Sequence, residues 1–253
     1  VNELADFFRL LAGTVIYRPY VYGFFACFLV FAYRRFTLRS FFAYFVIAYL
    51  TAYVSEYSAT RDGFPFGVYT YIDTTRTREL WISNIPFWDS LSFVFLSYFS
   101  WILAACARAP RAPRSALLEW PTAVLGGLLM MALDVVIDPL TLLGDRWFLG
   151  RMYFYPNGGQ YFGVTLTNFA GWFFVGTVTL LIFQELAKKA RWDFPAIGRG
   201  ELWGSFGVYA GVLVFNLSIT AWIGAWTLFA ASALVATLTL GLILTRILCR
   251  ITS

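Results

Sequence analysis

Apolar residues run through this chain in blocks too long and too continuous for the one-sided faces of soluble helices. Seven such blocks cover about residues 20–33, 38–55, 85–106, 116–138, 162–185, 204–223 and 226–246. Crossing about 30 Å of hydrocarbon takes roughly 20 apolar residues, so the pattern predicts an all-α polytopic membrane protein with about seven transmembrane helices. The first block is the shortest, and Arg18 and Pro19 crowd its start. Before it, ELADFFRLLAG at 3–13 has an acidic first turn and an apolar stripe. That predicts a short interfacial helix within residues 1–15, not a cleavable signal with a basic start. No linker or internal repeat divides the chain, and residues 1–253 read as one integral membrane domain.

Composition and charge extend this reading. With 60% hydrophobic and 13% charged residues, the chain has too little polar surface to coat a soluble core. Twelve of the 19 basic residues fall after odd-numbered blocks or at the C-terminal end: Arg34, Arg35 and Arg39; Arg108, Arg111 and Arg114; Lys188, Lys189, Arg191 and Arg199; Arg246 and Arg250. By the positive-inside rule these connections and the C-terminus are cytoplasmic and the N-terminus is external, in a multi-pass protein of the cell (inner) membrane. The net charge of +5 then belongs at lipid headgroups, with no nucleic-acid partner implied.

Missing residue types exclude several chemistries. Both lysines, Lys188 and Lys189, lie outside the apolar blocks, so no retinal Schiff base can form within a span. With no histidine in the chain, the histidine clusters of membrane di-iron enzymes and a histidine-ligated haem are excluded. No glycine-rich phosphate loop is present. Cys27, Cys106 and Cys249 have no metal or redox spacing and read as small apolar residues. Proton transfer therefore falls to carboxylates, tyrosines or water.

An ionisable side chain at membrane depth is costly enough to mark function. Asp134 and Asp138 are four residues apart and share a helical face. Pro139 biases Asp138 out of helical geometry, so the helix is expected to end there and present the pair to a cavity. Two carboxylates close together in low dielectric cannot both be charged cheaply, and an acid beside a base is what acid–base catalysis requires. The plainer reading is that the pair caps neighbouring helices or pairs with Arg146 or Arg151. Glu56, at the end of the second block, and Asp89, a turn into the third, are further candidates. Asp62, Asp73, Glu79 and Asp145 read as solvated loop residues, and Glu119 and Glu185 as partners of nearby cations.

After Glu56 comes DGFPFGVYTY at 62–71. Pro65 and Gly67 would set Phe66, Tyr69 and Tyr71 in defined directions. With Trp147, Tyr153, Tyr155, Tyr161 and Trp172 they could line a pocket for a flat polyene and stabilise a transient cation. Asn168 is an amide inside the fifth block, at i, i+4 spacing from Trp172. The bland alternative for each aromatic is an interfacial anchor.

Glu56 with GFPFGVYTY (63–71), IPFW (85–88), the DxxxDP of Asp134, Asp138 and Pro139, Trp147, and YFGxxxxNFAGW at 161–172 together resemble the carotenoid biosynthesis membrane proteins of the γ-carotene 1′-hydratase and bisanhydrobacterioruberin hydratase type. The resemblance runs over roughly residues 50–175. It implies a carotenoid 1,2-hydratase, a hydro-lyase adding water to the terminal C1=C2 bond of an acyclic carotenoid end without cofactor or metal. The loop TTRTRELWISN (74–84), Thr165–Leu166 and Phe148 depart from the family's usual residues.

The residue chemistry suits that reaction. Asp134 or Asp138 would donate the proton, the partner carboxylate or Glu56 would orient water, and Phe66, Tyr69, Trp147 and Trp172 would form the cage. The partners implied are a carotenoid substrate, membrane lipids and proteins of a biosynthetic membrane complex. The alternatives are a non-catalytic carotenoid- or lipid-binding subunit of such a complex and, with slight support from Asn216, Ser218 and Thr220, a transporter.

Overall fold

A computed structural model of the chain describes residues 3–109 and 114–251. Arg111 lies outside them, as do the side chains of Arg114 and Arg250. Nine helices carry the described chain: α1 (Glu3–Tyr17), α2 (Pro19–Arg35), α3 (Leu38–Asp62), α4 (Phe87–Arg108), the single turn α5 (Arg114–Leu117), α6 (Trp120–Leu142), α7 (Leu166–Lys189), α8 (Arg199–Trp222) and α9 (Trp226–Ile251). Four two-residue strands pair as two small antiparallel ladders, β1 (Thr70–Tyr71) with β4 (Tyr153–Phe154) and β2 (Trp81–Ile82) with β3 (Ile85–Pro86).

Among the described residues, six helices are long and apolar enough to cross a membrane: α3, α4, α6, α7, α8 and α9. The expected first span falls in α2, whose 17 residues meet α1 at a 94° bend. The bend has a local cause. Pro19, at the first position of α2, has no N–H and pushes Arg18 out of helical backbone, to φ −123° and ψ 48°. The count of seven is therefore reached only if the bent pair forms one span.

Helix α4 is apolar on every side because it is the axis of the bundle, with 94% of its most apolar stretch buried. Helices α2, α3, α6, α7, α8 and α9 all pack on it. Helix α6 packs along α7 over an extensive crossing. A Cβ at Gly127 would sit 2.7 Å from the Phe173 carbonyl oxygen, so α6 needs glycine there, and one at Gly176 would press on the Met130 sulfur at 2.8 Å. This crossing brings Asp134 of α6 to face Asn168 of α7.

Two expectations from the sequence are corrected. Helix α6 does not stop at Asp138 but continues through Pro139 to Leu142. Its last turn is held by Thr141 Oγ1, which donates to Ile137 O (3.0 Å), and by the Trp147 indole, which donates to Leu140 O (3.2 Å). Glu79 is not a solvated loop residue. It is fully buried against Arg18 (2.7 Å) and accepts from the Trp88 indole (2.9 Å). Arg18 also donates to Leu149 O (2.7 Å), tying the α1–α2 bend to both connections at this end of the bundle. Glu119 and Glu185 pair with Arg108 (2.7 Å) and Lys188 (2.6 Å).

Candidate active site

The site is built where the β1–β4 ladder meets α3, α4, α6 and α7. Strand side chains alternate, and Tyr71 lies directly opposite Tyr153. Tyr69, Tyr71, Tyr153 and Tyr155 therefore project to one face. Their rings close into a quartet, with centroid separations of 5.3 Å (69–71), 6.0 Å (71–153), 6.0 Å (153–155) and 5.8 Å (69–155). Gly171 holds this connection to the bundle, since a Cβ there would meet Pro65 O at 2.7 Å and the Phe66 ring at 2.6 Å.

Three of the four phenols end on carboxylates. Tyr71 donates to Glu56 Oε2 (3.0 Å) and lies in short contact with Asp89 Oδ2. Tyr155 donates to Asp138 Oδ2 (3.2 Å), and Tyr153 lies against Asp138 Oδ1. Burial, with the neighbouring Asp89 and Glu56 charges, pushes the Tyr71 phenol well above the ordinary tyrosine value. Burial and Asp138 do the same to Tyr155. Both phenols are thus held neutral, as hydrogen-bond donors.

The two aspartates of α6 are partnered unequally. Asn168 Nδ2 donates to Asp134 Oδ2 (2.6 Å) and to Asp138 Oδ2 (3.1 Å). Asp138 thus has three donors around it. Asp134 is fully buried, and its Oδ1 has no hydrogen-bond partner. Neither aspartate pairs with Arg146, which donates to Ile223 O, or with Arg151, whose guanidinium lies 5.9 Å from the centre of the Phe154 ring.

Asp89, Asp134 and Asp138 line a cavity of about 100 Å³ with Trp88, Trp147 and Trp172 among its walls. The far wall comes from α2 and α8, through Tyr20, Phe24, Phe215 and Asn216. The cavity is smaller than the roughly 300–1,000 Å³ usual for small-molecule sites, so it has room for the end of a long molecule and not its length. Among the described residues, no group of three or more Asp, Glu or Cys side chains is spaced to hold a metal ion.

The residues singled out from sequence divide into three groups. Asp89, Asp134, Asp138, Trp147 and Trp172 line the cavity. Tyr71 and Asn168 stand directly behind it, hydrogen-bonded to those carboxylates, and Glu56 stands behind Tyr71, accepting from its phenol. Phe66 and Tyr69, expected in the cage, are buried away from the cavity. Phe66 lies 6.5 Å from Trp172, which itself stacks on Phe93 at 4.1 Å. Tyr161 is not brought in. It sits in the turn before α7, paired with Val164, with its ring on Phe162 and Phe169. The cavity faces α2 and α8, while Gly171 of α7 packs closely on Pro65 and Phe66. Tyr20, Phe24 and Phe215 were missed in sequence. The i, i+4 spacing of Tyr20 and Phe24 was a usable signal, hidden among the chain's 27 phenylalanines and 15 tyrosines.

No solved structure matches the chain. The bisanhydrobacterioruberin hydratase of Haloarcula japonica is 27% identical over 136 residues, which cover 53% of this chain and 42% of that protein. The matched region therefore spans less than half the length of that relative. The sequence profile of the carotenoid biosynthesis proteins matches residues 17–241, nearly the whole membrane domain with all three cavity aspartates. The chain belongs to the carotenoid biosynthesis protein family.

Proposed function

We propose that the protein is a hydratase that adds water across the terminal C1=C2 bond of an acyclic carotenoid end, by carboxylate acid–base catalysis. The observation that carries this reading is one aromatic cavity lined by three carboxylates, sized for an end group. The similarity to a hydratase of the carotenoid pathway supports it.

The hydrogen bonds suggest a division of labour. Donors to a carboxylate favour its ionised form. Asp138, held by Tyr153, Tyr155 and Asn168, is read as the anion. Asp134, with Oδ1 unpartnered, is read as the acid. The Asp134 proton goes to C2, the less substituted carbon, and the π electrons form the new C2–H bond, leaving a tertiary cation at C1. Trp147 and Trp172 and the Asp138 charge stabilise that cation. Water then attacks C1, and its proton passes to Asp89, whose hydrogen bond to Tyr71 continues to Glu56. Proton return to Asp134 completes the cycle, with one water added and the protein unchanged.

The test is expression in a lycopene-producing bacterium, with pigments analysed by mass. A product heavier by one water per end is expected. Pigment that co-purifies with the protein unaltered would instead favour a binding subunit. The topology proposed with this function puts the ladder and cavity toward the external face, with the ends bearing Arg108, Lys188 and Arg199 in the cytoplasm.

A further inference from the structure

A second cavity, of about 550 Å³, opens between α6 and α9. Leu125 of its wall and Asp134 are nine residues, about two and a half turns, apart on α6, so the two cavities lie on opposite faces of that helix. Its lower walls are apolar, with Leu128, Leu129, Ala132 and Ile243, and its upper end carries Arg108 and Arg246. Arg108 is fixed by Thr122 (2.6 Å) and Glu119 (2.7 Å). Arg246 makes no hydrogen bond or ion pair with any described residue. Along α6 the wall runs from Leu125 to Ala132, and along α9 from Arg246 back to Thr239. Seven residues on each helix give both walls a length of about 10 Å. The small side chains of Ala132 and Thr239 close the far end.

We propose that this groove binds an anionic phospholipid, with its phosphate at Arg246 and Arg108 and the upper part of one acyl chain between α6 and α9. Charge and apolarity are segregated along the groove as they are along a lipid, cation at one end and leucine below. Trp120, 66% exposed and two turns before Leu128 on the same face of α6, stands on the arginine side, where an indole marks the headgroup level. A free anion would need only the upper end and would leave the apolar length unexplained.

Native mass spectrometry of the full chain, delipidated in detergent and then given phosphatidylglycerol or phosphatidylcholine, tests this. Phosphatidylglycerol should be retained preferentially. Arg246→Gln should weaken its retention about fivefold, the factor expected of one basic residue at a membrane surface, while Arg246→Lys keeps it. Thr239→Phe, which fills the groove without touching the charges, should weaken both lipids. Equal retention of the two lipids by the unaltered chain would overturn the proposal. So would phosphatidylglycerol retention unchanged in Arg246→Gln or Thr239→Phe, displacement of the lipid by inorganic phosphate, or a second copy of the chain in place of lipid.

Discussion

Asn168 reaches Asp134 and Asp138 through a single amide nitrogen, at 2.6 and 3.1 Å. One side chain of α7 thereby sets the spacing of two carboxylates of α6, and the Gly127–Gly176 crossing makes that reach possible. Asn168→Leu removes the donor and leaves two buried acceptors exposed to each other. A loss of about 1–3 kcal/mol is expected for a buried group stripped of its partner. Thermal unfolding in detergent should register it as a lower midpoint, and hydration should fall with it.

Asp134→Asn keeps the shape of the side chain and removes its transferable proton. Hydrated product per mole of protein should fall by about 10²–10⁴-fold, the usual contribution of general acid–base catalysis, while carotenoid still co-purifies. Asp138→Asn should also lower turnover, by removing the charge that faces the cation. Unchanged product in both variants would end the catalytic assignment of the pair.

Trp147→Ala acts on the wall and not on the proton. Its indole also holds Leu140 O at the end of α6. Carotenoid retention and product formation should therefore drop together, measured on the same purified sample. A loss of product with full pigment retention would contradict its role in the cage.

Tyr71 should stay protonated in the folded protein well past pH 10, the ordinary tyrosine value, since burial and the Asp89 and Glu56 charges raise it. The neutral phenol is the form the fold favours, so its stabilising contribution is present below pH 10 and is lost as pH rises through the elevated value. Tyrosinate absorbance of the folded protein near pH 10.5 should accordingly be the same in the unaltered chain and in Tyr71→Phe. A smaller signal in the variant would show an ordinary, accessible phenol.

Reporter fusions after residue 112 and after residue 195 should both report cytoplasm, given the basic residues at the ends of α4 and α7. A periplasmic signal from either would invert the orientation and move the cavity to the other face.

The spans and the carboxylates were legible in the sequence because both follow from local cost. Twenty apolar residues have few other uses, and an aspartate such as Asp134 amid leucine and valine is expensive to keep. Side chains placed by long-range pairing were not legible. The facing of Tyr71 and Tyr153 depends on a two-residue ladder between segments 82 positions apart, with no alternating pattern long enough to announce it. Glu79 looked solvated because its partner, Arg18, is 61 residues earlier. Pro139 was read as a helix end by a rule for isolated helices, whereas the packing of α6 on α4 and α7 carries the helix a further turn.

The burial of α4 bears on how the protein is made. A chain synthesised from its N-terminus releases α4 before α6, α7, α8 and α9, which later enclose it. Until they arrive, much of its surface has only lipid for company. This accounts for a mean hydropathy of 1.7 in a helix that the finished protein hides from lipid. Its apolar outer surface serves the nascent protein, and the polar groups needed for chemistry stay near one end, where Asp89 sits in the first turn. A polar substitution in the middle of α4 away from the cavity, such as Phe99→Asn, should therefore act during membrane insertion, lowering yield before it alters the assembled protein.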